Sequence, residues 1–133
     1  MASSFKDLIV WQRSVELCSA VYQLTADFPL IERFGLTNQL RRAAVSVASN
    51  IAEGYGRSTR GEYIQFLGHA RGSVNEVQTQ IHIARTLHFG SEELRETTEG
   101  LAEEVSKMLI AMMAKLQSQS GARPAHQPLA PRP

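Results

Sequence analysis

From Leu40 to Ile51 the chain reads Leu-Arg-Arg-Ala-Ala-Val-Ser-Val-Ala-Ser-Asn-Ile, and this run decides the fold. Leu40, Ala44, Val47 and Ile51 return at intervals of four, three and four residues. With about 100° of rotation per residue, that spacing lays one apolar stripe along a helix, whereas a half-buried strand needs strict alternation. The helix extends outward to an N-cap at Thr37 or Asn38 and to Tyr55, where Gly54 and Gly56 end it. Its small residues Ala43, Ala44, Ala48 and Ala52 invite a close neighbour.

Toward the N-terminus, apolar residues predict a helix from Asp7 to Phe28, stopped by Pro29, which cannot continue it. They fall in two adjacent rows: Trp11, Val15, Cys18 and Tyr22, then Val10, Leu17, Val21, Leu24 and Phe28. Together these cover nearly half the circumference, more than one bundle core uses. Toward the C-terminus, Thr59 and Glu62 have capping-box spacing and open a third helix that runs to Phe89, with Gly90 as its C-cap. Its buried stripe is Tyr63, Phe66, Ala70, Val74, Val77, Ile81 and Ala84. Gly61, Gly68 and Gly72 weaken a helix by up to about 1 kcal/mol each, and close approach to the alanine-rich second helix would compensate. Ser91 caps a fourth helix with Glu92 and Glu93 in its first turn, and Leu94, Leu101, Val105, Met108, Leu109, Met112 and Leu116 form its stripe.

The pattern dissolves after Gln119. The segment 120–133 carries Pro124, Pro128, Pro131 and Pro133 and is expected to be disordered. The expected architecture is therefore all-α: an antiparallel up-down four-helix bundle over 1–119 and a Pro-rich tail over 120–133. No apolar run approaches the ~20 residues of a membrane span. No secretory signal is read, and a single cysteine, Cys18, suits a reducing compartment. A cytoplasmic location is expected.

Enzyme chemistry finds little to work with. No glutamate precedes a histidine by three residues, as a di-iron bundle requires. His69, His82 and His88 do not pair on one helical face, so no metal or cofactor is expected. Cys18 lacks a polar activator, and no Gly-x-Ser-x-Gly turn is present. No catalytic residue or small-molecule substrate is therefore expected. The stretch from Gly54 to Thr59 is a glycine-rich basic junction before a helix N-terminus; it reads either as a plain interhelical turn or as an anion site built on Arg57.

Net charge is only +1, with 14 basic and 13 acidic residues, so distribution matters more than sum. Arg60, Arg71 and Arg85 are 11 and 14 residues apart and return to nearly one azimuth. Arg57 extends that row, and Arg41 and Arg42 begin the second helix beside it. Such a row is suited to phosphates. It also fits a solvated face with internal ion pairs, for example Arg42 with Glu53. Glu92, Glu96, Glu99 and Glu103 make an acidic stripe on the fourth helix that should face water or a basic partner. Val10, Leu17 and Leu24 of the first helix, with Val45 and Ile83 off their helices' main stripes, exceed what a monomer shelters. They are expected at an oligomer interface.

Phe5-Lys6-Asp7-Leu8-Ile9-Val10-Trp11-Gln12, Phe28-Pro29, Phe34-Gly35-Leu36-Thr37-Asn38-Gln39-Leu40-Arg41-Arg42-Ala43 and Ser46-Val47-Ala48-Ser49-Asn50-Ile51-Ala52-Glu53-Gly54 resemble the bacterial four-helix bundle proteins first noted inside intervening sequences of 23S ribosomal RNA genes. Gly56-Arg57 and Ala70-Arg71-Gly72-Ser73-Val74-Asn75-Glu76 extend the match. The resemblance implies a ring-like homopentamer without enzymatic activity. A related group, the accessory protein of diversity-generating retroelements, associates with nucleic acid and a reverse transcriptase. By that relation Arg41, Arg42, Arg57, Arg60 and Arg71 become candidate RNA or DNA contacts, and a reverse transcriptase a candidate partner. Asn50, Glu53, Gly54, Gly72 and Ser73 carry the family motif and are expected to be architectural or to lie at an interface.

Overall fold

The computed structural model describes residues 3–119, and the expectation for the Pro-rich tail lies outside them. Four helices carry the described chain: α1 (Ile9–Thr25), α2 (Leu36–Tyr55), α3 (Arg60–Thr86) and α4 (Glu92–Ser118). Short 3-10 turns at Phe5–Asp7 and Leu30–Glu32 precede α1 and α2. Among the described residues there is no strand.

Each helix packs against two others in cyclic order, α1 on α2, α2 on α3, α3 on α4 and α4 on α1, and the α2–α3 contact is the most extensive. The core they enclose is aliphatic: Leu17, Leu24, Leu40, Val47, Ile51, Leu67, Val74, Val77, Ile81, Val105 and Leu109 are all withdrawn from water. At roughly 1.5–3 kcal/mol for each fully buried aliphatic side chain, this layer is the main source of stability.

The ends are set by capping. Thr59 Oγ1 accepts from the Glu62 amide at 3.1 Å and Ser91 Oγ from the Leu94 amide at 3.1 Å, as their spacing requires. Four boundaries differ from the periodicity. The first helix begins at Ile9, because Phe5–Asp7 forms a 3-10 turn capped by Ser4, and it ends at Thr25, three residues before Phe28. The second opens at Leu36: the Glu32 carboxylate accepts from the Leu36 amide at 3.0 Å, while Thr37 is buried. The third stops at Thr86, where His88 (φ 60°) and Gly90 (φ 75°) both turn left-handed.

The glycine expectation needs correction. A Cβ at Gly61 or Gly72 would meet nothing within 4 Å, and one at Gly68 would lie 3.6 Å from Met113 of α4. Close approach between α2 and α3 is made instead by Gly54, where a Cβ would come within 2.8 Å of the Phe66 Cβ and 3.1 Å of the Tyr63 ring. Phe66 is accordingly only half-buried, and Leu67 takes its expected place in the core.

Candidate nucleic-acid interface

The seam between α2 and α3 is polar along its outer edge. Ser46 and Ser73 share a hydrogen bond at 2.9 Å across it, and Asn50 Nδ2 donates to the Ser46 carbonyl and hydroxyl, each at 2.9 Å. Asn50 and Ser73 of the family motif thus join one network, although they lie on different helices. Gly54 closes the same seam farther along. Glu53 does not bond Asn50; it pairs with Arg57 at 3.0 Å. Gly72 is exposed and faces open space. Toward the start of α2 the seam holds a groove of ≈ 380 Å³ between Asn38, Gln39, Arg42, Ser46, Glu76 and Gln80.

The arginines expected to form one basic row have different fates. Arg85 donates twice to Glu99 of α4, at 2.9 and 2.6 Å, so that its charge is matched within the chain. This pairing holds the Glu99 carboxyl below its ordinary range, chiefly through the hydrogen bond, and raises the Arg85 guanidinium. The fourth-helix acidic stripe is therefore not wholly turned to solvent. Arg57 lies between Glu53 and Glu62, the latter at 3.7 Å, and over the Phe66 ring at 5.3 Å. A phosphate approaching the α2–α3 turn would meet two carboxylates, which disfavours an anion site there.

Arg41 stacks on Tyr22, 4.4 Å from the ring centroid, and donates to Thr25 at 2.8 Å, with no carboxylate paired to it among the described residues. Arg60 is half-buried at the start of α3. Arg42 and Arg71 are exposed and have no ion-pair partner among the described residues. The expected Arg42–Glu53 pair does not form: eleven residues apart on α2, the two stand about 16 Å apart along the helix axis, and Glu53 pairs with Arg57 instead.

The interface expectation for α1 is also corrected. Val10, Leu17 and Leu24, exposed to 4 %, 0 % and 0 %, belong to the chain's own core. The other row turns outward: Val15 and Tyr22 are exposed, and Trp11 and Cys18 are half-buried. Two adjacent apolar rows leave the helix phase undecided until neighbouring helices select one of them. Val45 and Ile83 do face outward, with Val45 45 % exposed and lining a second groove with Tyr22, Arg41 and Arg42. Burial raises the Cys18 thiol above its ordinary value, which disfavours the reactive thiolate. Burial, followed by the neighbouring Tyr55, pushes the Tyr63 hydroxyl up to about 12.

Periodicity alone also missed Arg95. It is buried in α4, and its Nη1 donates to the carbonyls of Phe89 and Gly90 at 2.7 and 2.6 Å, tying the α3–α4 connection to the bundle. Its place five residues after a glycine turn was the only available signal. Among the described residues no cluster of three or more metal-ligating side chains occurs. No helix there is long and apolar enough to cross a membrane.

No curated protein matches the chain significantly. Its fold is that of a crystal structure from Bacteroides thetaiotaomicron VPI-5482, described as a protein with unknown function from the S23 ribosomal protein family. The two are 21 % identical with a TM-score of 0.71, over 79 % of this chain and 98 % of that one. The sequence profile described as "23S rRNA-intervening sequence protein" matches residues 6–111, spanning all of α1, α2 and α3 and most of α4. The chain belongs to the 23S rRNA-intervening sequence protein family.

Proposed function

We propose that this chain is a non-enzymatic cytoplasmic subunit that forms an antiparallel up-down bundle and assembles into a ring-like homopentamer. In this reading it binds RNA or other nucleic acid through α2 and α3. The observation carrying the nucleic-acid reading is the state of the arginines. Arg42 and Arg71 present cations on α2 and α3 that no carboxylate neutralises among the described residues, while Arg85 is consumed by Glu99. Unmatched guanidinium groups are what phosphates take up, releasing counterions as they do so.

Opposite chain directions are supported by pairings across the α2–α3 seam. Ser46 meets Ser73 and Gln39 meets Gln80, so positions rise on one helix as they fall on the other. Self-association is favoured by Val15, Tyr22 and Val45, apolar or aromatic side chains left on the α1–α2 face. The family resemblance supplies the subunit number.

Binding of labelled single-stranded RNA measured at two salt concentrations tests the reading. Affinity should fall steeply with salt, and the double substitution R42A/R71A should reduce both the affinity and the salt slope, by about one unit per lost phosphate contact. RNA binding absent at low salt, or indifferent to both arginines, refutes it. For assembly, Val45→Glu should shift the sedimenting species toward monomer without loss of helicity; an unchanged mass refutes the α1–α2 face.

A second reading, an accessory subunit that docks a protein, has its own observation. Leu30, Ile31 and Phe34, 84–88 % exposed, cluster at the α1–α2 connection. A partner captured by the full chain and lost on replacing these three with serine would support it.

A further inference from the structure

We propose that the groove between α2 and α3 is a pocket for one unstacked guanine of a single-stranded nucleic acid; this rests on the nucleic-acid reading and deepens it. The groove's ≈ 380 Å³ is lined by both signs of charge, Arg42 on α2 and Glu76 on α3. The two do not pair with each other, and neither pairs elsewhere among the described residues. A cation and a carboxylate sharing one groove while kept apart suit a ligand that presents donors on one edge and acceptors on another. Amide groups from Asn38, Gln39 and Gln80 surround them.

Gln80 gives an independent sign. Its Oε1 is buried without a donor, while its Nε2 reaches only weakly toward Gln39 Oε1, at 3.5 Å. A buried acceptor without a partner is unfavourable, and a turn of the Gln80 amide toward the groove would let a ligand N–H satisfy it.

Guanine matches this set better than the other bases. Its N1–H and N2 amino group lie side by side as donors for a carboxylate, and its O6 and N7 accept together from a guanidinium. Adenine lacks the paired donors, and uracil lacks the amino group. In a duplex the Watson–Crick edge is occupied by the pairing base, so a single-stranded or looped guanine is required.

The test is fluorescence anisotropy of the full chain with a labelled oligouridine carrying one central guanosine, compared with adenosine, cytidine, uridine and inosine there. Guanosine should bind at least about fivefold tighter than the other three natural bases, and inosine, which lacks the N2 amino group, should lose most of that gain. Glu76→Gln should erase the preference for guanosine, with circular dichroism and sedimentation unchanged. Equal affinity for all the oligomers overturns the guanine pocket and leaves the nucleic-acid reading standing. No binding to any of them at low salt removes both. A Glu76→Gln protein that keeps the full preference overturns the assignment of the groove.

Discussion

Replacing Gly54 and Gly72 by alanine should change stability in opposite directions, although both are helical glycines exchanged for the best helix former. In an open helix interior the exchange gains up to about 1 kcal/mol, because glycine gives up more chain entropy on folding. Gly72 has nothing within 4 Å of the position a Cβ would take, so Gly72→Ala should realise most of that gain, about 0.5–1 kcal/mol. At Gly54 the new methyl would stand 2.8 Å from the Phe66 Cβ, 3.1 Å from the Tyr63 ring and 3.3 Å from the Tyr63 carbonyl. A Cβ and a carbonyl are fixed to the backbone of α3 and cannot swing aside, so the two helices must separate. Overpacking of this kind costs about 1–3 kcal/mol. It outweighs the helix-propensity gain, which is reduced so close to the end of α2. Gly54→Ala should therefore be net destabilising by about 1 kcal/mol or more. Urea unfolding followed by circular dichroism, at one fixed protomer concentration, would show the midpoint falling by roughly 0.5–1 M for Gly54→Ala and rising for Gly72→Ala. Shifts of the same sign, or a stabilised Gly54→Ala, would refute the assignment of the α2–α3 contact to Gly54.

Two further expectations concern charged groups. Arg95→Ala and Arg95→Met should each cost about 2–3 kcal/mol in urea unfolding, because the two carbonyls it satisfies, Phe89 and Gly90, lose a charged donor in either case. A methionine variant near wild type would show that the aliphatic stem, not the guanidinium, matters. For Glu99, whose carboxyl is held below its usual 4.5 by Arg85, the pairing contributes above that ordinary value and is lost as pH falls through the depressed one. Glu99→Gln should flatten this part of the stability-versus-pH curve. Its effect at neutral pH should stay under about 1 kcal/mol, because both side chains are more than a third exposed to water and salt. An unchanged acid slope in the variant would rule the pair out as its source.

Periodicity within the sequence by itself determined the class and number of the helices, the caps at Thr59 and Ser91, and most of the core. Those features depend on neighbours three or four residues away, whose geometry the helical backbone imposes. The tertiary structure alone decided which of the two apolar rows of α1 went inward, because either satisfies the helical period. It likewise decided which arginines remained available. Arg85 and Arg13 find their carboxylates 14 and 91 residues along the chain, at positions that become neighbours only once the helices pack. The groove joining Arg42 to Glu76, the approach at Gly54 and the burial of Arg95 belong to the same class. Each depends on how two helices meet, and local spacing carries no information about that.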